Sequence, residues 1–200
     1  MVPLVAIPDA AAFILAGGKS SRMGENKAFL KLRGRTLLEI AVEKARQVVA
    51  SVDIVGPRAN FGPEAIEDIF PDCGPLSGIH AALTHSRRDL NLILAVDIPF
   101  VQPEFLYFLL EQARTSPSVV TVARTSDGFQ PLCGVYHKNF SQIAEKALAD
   151  GRYKIDPLFS LVKTRIIDEA EMRQFAFDPA MFQNLNTRAE YQRAITRQNG

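Results

Sequence analysis

The chain has 200 residues, 47% of them hydrophobic, enough for one α/β domain with a substantial core and too few for two. Lysine plus arginine (23) nearly balances aspartate plus glutamate (22), for a formal net charge of +1, so the bulk charge marks neither a nucleic-acid-binding nor a membrane surface and any anion site has to be local. Apolar runs fall far short of the ~20 residues that span a bilayer, the N-terminus reads without a targeting signal, and Cys73 and Cys133 have no metal-ligand spacing and are expected to be free thiols of a cytosolic protein.

In chain order, the apolar run Ala11–Ala16 is expected to be a buried strand that stops at Gly17-Gly18 and enters a polar segment holding Lys19, Ser20, Ser21, Arg22, Gly24 and Lys27. Paired glycines let backbone N–H groups close on an anion, and Arg22 and Lys27 add charge, so the segment reads as a phosphate-binding loop. It is not a Walker A loop, since no glycine stands five residues before its Gly-Lys-Ser, nor is it a G-x-G-x-x-G fingerprint. A turn at Gly34 and an N-cap at Thr36 precede a helix over Thr36–Ala50, whose apolar face is Leu37, Leu38, Ala41, Ala45, Val48 and Val49. Ser51–Val55 follows as a strand, completing a right-handed βαβ unit with parallel strands.

Glu64–Ile69 is expected to be a short third strand that delivers Asp68 near its end, and Ser77 to cap a helix running to about Arg87. Leu92–Val96 has the continuous apolar character of a central strand and ends in Asp97, followed by Pro99. Next come a helix from Pro103 to about Arg114, and strands Ser118–Ala123 and Pro131–Tyr136 flanking the turn Ser126-Asp127-Gly128. A helix from Asn139 ends at Gly151, a short helix lies within Tyr153–Val162, Thr164–Asp168 is an edge strand, and Thr187 opens a last helix. The fold class is therefore α/β: a Rossmann-like, three-layer α/β/α domain over residues 1–200, with a mostly parallel sheet and an antiparallel addition. Its nucleotide-binding part spans about 11–100 and its acceptor-binding part about 101–200.

Ligands of open α/β sheets gather at the carboxyl ends of strands, which places Asp97 where chemistry is expected. A phosphate-binding loop near such a carboxylate would suit nucleotidyl transfer, which needs a grip on the triphosphate, neutralisation of the charge that develops at the α-phosphate and an attacking oxygen held in line. The backbone of Leu15–Gly18 with Arg22 suits the first, and Lys27 with a Mg²⁺ ion held by Asp97 suits the second. No activated nucleophile stands out, because Cys133 lies mid-strand and His80, His85 and His137 read as ordinary structural residues, so direct displacement is expected.

The segment L-A-G-G-x-S-x-R-M-G-x-x-K, Leu15 to Lys27, resembles the signature loop of nucleotidyltransferases and is most similar to that of the molybdenum cofactor guanylyltransferases. The resemblance implies a cytoplasmic enzyme with a nucleotide-diphospho-sugar transferase type of fold, which uses GTP and Mg²⁺ to attach GMP to molybdopterin. It also implies transient contacts with cofactor-biosynthesis or acceptor enzymes, and no nucleic-acid or membrane partner. By this likeness Leu15, Ala16, Gly17, Gly18, Lys27, Asp68, Gly74, Gly78 and Asp97 bind the nucleotide, Arg22, Lys27 and Asp97 are catalytic, and Asp97 binds the metal. Asn184 and Asn186, of Asn184-Leu185-Asn186-Thr187, would meet the pterin. Two departures are Asn26 before Lys27, where the family usually has aspartate, and Gly56, where many members carry asparagine. A cytidylyltransferase, a sugar-phosphate nucleotidyltransferase and a noncatalytic nucleotide-binding protein remain as alternatives.

Overall fold

The computed structural model describes residues 5–17, 26–185 and 190–192. Its centre is β1 (Ile7–Leu15), longer than the expected strand and buried on both faces from Ala10 onward. Ala12 and Ile14 face one apolar cluster, while Ala11, Phe13 and Leu15 face another. A strand with water on neither side has no polar face to alternate, which is why the sequence here is continuously apolar.

From β1 the chain forms the small ribbon β2 (Lys31–Leu32) and β3 (Arg35–Thr36), then α1 (Leu37–Arg46), β4 (Val49–Val55) and the single turn α2 (Arg58–Phe61). There follow α3 (Pro75–His85), β5 (Leu90–Ala95), α4 (Pro103–Thr115), β6 (Val120–Thr125) and β7 (Gly128–His137). The last elements are α5 (Phe140–Ala149), β8 (Thr164–Asp168) and α6 (Glu169–Gln174). The main sheet has the order β4-β1-β5-β7-β6-β8. Both β4 and β5 pair with β1 in parallel, β7 runs antiparallel between β5 and β6, and β8 rejoins β6 in parallel at the edge. Helices α1, α4 and α6 cover the face that holds Ile14, and α3 and α5 cover the face that holds Phe13. The result is the expected three-layer α/β/α arrangement; the antiparallel strand is set inside the sheet rather than appended to it.

Three local expectations are corrected. Glu64–Ile69 makes only one bridge, Val55 to Ile66, because Ala65 and Ile66 are its only buried apolar pair and cannot fill a strand's core face. Helix α1 ends at Arg46, and Val49 already belongs to β4. The N-cap of α3 is Gly74 rather than Ser77: Gly74 takes φ 73°, a conformation glycine adopts without strain, and Pro75 starts the helix with its φ already set. Ser77 is fully buried in the first turn, and its hydroxyl has no hydrogen-bond partner among the described residues. The short helix expected within Tyr153–Val162 is a 3-10 turn, Asp156–Leu161, and the expected helix at Thr187 lies outside the described residues at its start.

Helix α1 carries a capping box. Glu39 N–H donates to Thr36 Oγ1 at 3.1 Å, and Thr36 N–H donates to Glu39 Oε2 at 2.7 Å. Two amides that a helix start leaves unmatched are thereby satisfied. Thr36→Ala is expected to lower stability by about 1 kcal/mol, read as a lower urea midpoint with an unchanged m-value.

Candidate active site at the carboxyl edge of the sheet

Strands β1, β4 and β5 run parallel, so the loops that leave them open on one edge. There Ala16 N–H and Gly17 N–H both donate to the Val55 carbonyl, at 2.9 and 3.2 Å, and Val96 N–H donates to the Leu15 carbonyl at 3.3 Å. The three chain ends are thus stitched together one residue beyond the ladder. The amides of Ala16 and Gly17 are thus engaged by β4. Gly18 and Arg22, the remaining loop residues expected to grip a triphosphate, lie outside the described residues.

Lys27 begins a single 3-10 turn, Lys27–Phe29, capped by Asn26, whose side-chain oxygen accepts from Ala28 N–H at 3.0 Å. The asparagine that replaces an acidic residue therefore still has a structural task, setting the turn that carries the lysine. Lys27 Nζ lies 3.4 Å from Asp97 Oδ2, and both side chains are about a fifth exposed, at 22% and 20%. An ion pair this open to water contributes ~0–1 kcal/mol, so it adds little to the fold. What it does is hold a cation and a carboxylate side by side at the end of β5. The Asp97 carbonyl in turn accepts from Leu185 N–H at 2.8 Å, which anchors the loop carrying Asn184 beside it. Asn184 is exposed, Leu185 is fully buried, and Asn186 lies outside the described residues.

On the other flank, Ile66 N–H donates to the Ile54 carbonyl and Gly56 N–H to the Ile66 carbonyl, so the chain after β4 is bound to that strand's end. This places Asp68 Oδ1 3.7 Å from where a Cβ on Gly78 would lie, with Leu15 Cδ2 at 3.3 Å. Gly78 lets the first turns of α3 approach β1 and Asp68 together, while Gly74 sets the helix N-terminus, whose partial positive charge favours anions. Desolvation holds the Asp68 carboxyl above its ordinary pKa, although the residue as a whole is exposed. Cys133 is buried, and burial pushes its thiol up to about 12, so it supplies no thiolate at neutral pH. His80 is buried on α3 and His137 ends β7.

Among the described residues no group of three or more His, Cys, Asp or Glu side chains is placed to hold a metal. Asp97 stands at the site with one carboxylate. That donor set fits Mg²⁺, which binds through one or two carboxylates and completes its shell with substrate phosphates and water.

The family model described as "MobA-like NTP transferase domain" matches residues 12–162. The chain belongs to this family. Relatives of this MobA-like chain include the molybdenum cofactor guanylyltransferase of Desulfosudis oleivorans, 33% identical, covering 90% of this chain and 92% of the relative. That of Syntrophotalea carbinolica is 29% identical, covering 91% and 89%. Among solved structures, molybdopterin-guanine dinucleotide biosynthesis protein A from Archaeoglobus fulgidus superposes with a TM-score of 0.81 at 25% identity, over 94% of this chain and 98% of that one. A CMP:2-keto-3-deoxy-manno-octonic acid synthetase complexed with CTP shares the fold at TM-score 0.69 and 18% identity. The MobA-like fold is thus that of the nucleotide-diphospho-sugar transferases, as expected. Among the described residues no helix is long and apolar enough to cross a membrane.

Sequence reasoning missed two features of this MobA-like site. Leu185 appeared only as the spacer between two asparagines, yet its amide is the tie to Asp97. Gly56 was noted only for the side chain it lacks: a Cβ there would meet Phe61 Cε2 at 2.8 Å and Gly17 N at 3.2 Å, and Phe61 stacks on Phe29 at 5.6 Å between centroids. The aromatic pair fills the space an asparagine would take. Gly56→Asn is expected to cost about 1–3 kcal/mol by overpacking, and combining it with Phe61→Ala should destabilise less than the sum of the two single changes in urea titrations.

Because the folded pKa of Asp68 is raised, its ionised form carries a folding cost that appears as pH rises through its titration range and persists at neutral pH. Asp68→Asn is therefore expected to raise Tm at pH 7 and to leave it little changed at pH 3. A fall in nucleotide affinity measured alongside would mark the carboxylate as kept for binding rather than for stability.

Proposed function

We propose that this MobA-like protein transfers GMP from GTP to molybdenum-bearing molybdopterin, releasing pyrophosphate, in a Mg²⁺-dependent cytoplasmic reaction. The observation that carries the proposal is the Lys27–Asp97 pair, 3.4 Å apart at the carboxyl edge of the sheet, directly beside the first loop and the Asn184 loop. The guanylyltransferase names of the relatives and of the Archaeoglobus fulgidus structure give the substrate class.

In the reaction an oxygen of the acceptor's terminal phosphate forms a bond to the α-phosphorus of GTP, and the bond from that phosphorus to the bridging oxygen breaks, so that pyrophosphate leaves with the displaced electron pair. Lys27 stands at the triphosphate and offsets charge on its oxygens as the bond order shifts. Asp97 would hold the metal, with Mg²⁺ supplying positive charge to the same phosphate oxygens when bound. Asp68 accepts hydrogen bonds from the nucleoside, and Gly78 lets α3 pack close enough to Leu15 to keep that carboxylate at the site. Asn184 offers its amide to the acceptor next to Asp97. With Cys133 protonated and buried, the residues favour one direct displacement over a covalent enzyme intermediate.

Pyrophosphate release measured with GTP, CTP, ATP and UTP, each against molybdopterin and against sugar phosphates, tests this. Turnover is expected with GTP and molybdopterin only. Asp97→Ala should lower kcat by about 10²–10³-fold and leave Tm nearly unchanged, since the residue contributes little core. Turnover with CTP or a sugar phosphate would replace the substrate assignment, and binding without turnover would make the protein a nucleotide carrier.

A further inference from the structure

The turn that carries Asp97 is not held by its own residues. Beyond β5 the chain runs Val96-Asp97-Ile98-Pro99-Phe100-Val101-Gln102-Pro103, and its two prolines bring no N–H donors. Within the turn, Val101 N–H makes only a long bond to the Ile98 carbonyl, at 3.4 Å. Among the described residues, the carbonyls of Pro99 and Val101 converge on one outside donor. Lys44 Nζ, reaching over from α1, donates to both, with the Val101 contact at 2.7 Å.

Lys44 sits on the apolar side of α1, between Ala41 and Ala45, which are both buried. Burial lowers its pKa to about 8, Arg35 of β3 adds to the lowering and Glu104 of α4 opposes it. The ammonium is therefore mostly charged at neutral pH, and charge strengthens its bonds to the two carbonyls. A lysine kept half-buried against a desolvation cost, with both acceptors on one turn, calls for a role beyond α1 packing.

Resting on the proposed function above, we infer that Lys44 is a positioning residue: by gripping the carbonyls of Pro99 and Val101 it fixes the turn that aims Asp97 at Lys27 and at the metal. Two struts then hold the turn, Lys44 on the carbonyls beyond Asp97 and the Leu185 amide on the carbonyl of Asp97 itself. Losing the first leaves two carbonyls without their donor and frees the turn to shift, and misplacing a metal ligand by this route typically costs about 10- to 100-fold in metal affinity or activity.

Lys44→Met keeps most of the apolar stem and removes the donor. Hydrogen exchange read at single amides is expected to show faster exchange at Val101 and Leu185 in this variant, with protection in β1 and β4 unchanged. Calorimetry should show GTP binding without metal close to wild type and the gain in GTP affinity on adding Mg²⁺ reduced by about tenfold or more, while kcat falls with KM for GTP little changed. Lys44→Arg, which retains two donors, should restore exchange protection and most of the metal effect. If Lys44→Met does not fold, Lys44→Gln, with one shorter donor, is expected to show the same pattern at smaller size. Unchanged exchange at Val101 and Leu185 together with an unchanged metal effect overturns the inference, even where Tm falls. Should wild-type protein fail to bind GTP, the functional proposal falls instead, and the exchange comparison alone decides whether Lys44 holds the turn.

Discussion

Strand β1 has to be satisfied on four sides at once: β4 and β5 bond its two edges, and separate apolar clusters press on its two faces. Such a strand can neither slide nor rotate, because a shift of one residue would exchange Phe13 and Ile14 between clusters of different shape. Its parallel neighbours are held in register with it, so their loops must emerge at one edge. Among the described residues, the start of the first loop and Asp97 are brought together by that constraint. Leu15 and Val55 set the first loop, Val96 hangs from the Leu15 carbonyl, and Asp97 follows it.

The site is thus assembled from pieces that have little affinity for one another. The Lys27–Asp97 pair is about a fifth open to water, Asp68 is held above its usual pKa by desolvation, and the N-terminus of α3 has no side-chain cap. The raised Asp68 pKa is a modest local cost, and the uncapped start of α3 is a missed stabilisation that an anion can relieve. If Asp97 holds Mg²⁺ as proposed, the remaining ligands fall to the substrate, and nucleotide and metal are expected to bind as a unit.

Much of this could be read from the residues in order. Alternation and apolar runs announced the strands and helices, the order of strand and helix announced the parallel sheet, and Asp97 was located from its place at the end of an apolar run. The errors share one cause. Ser77 as a cap and Glu64–Ile69 as a strand were local inferences that tertiary packing overrode: α3 begins earlier because Gly74-Pro75 start it, and only Ala65 and Ile66 reach the core. Contacts across long sequence distances, such as Leu185 on Asp97 or Lys44 under Pro99, leave almost no local trace. The faint signal for Lys44 was a charge among alanines on a face otherwise destined for the interior.

The bond from Leu185 to Asp97 also bears on how the protein comes into being. A chain emerging from the ribosome can complete β1, β4 and β5 and pair Lys27 with Asp97 long before residue 185 exists. Until that residue arrives, the carbonyl of Asp97 lacks the donor that Leu185 supplies. The turn that carries Asp97 therefore takes this support only after the strands around β1 can have formed, and a chain cut short before Leu185 would keep those strands while its Asp97 carbonyl went without that amide.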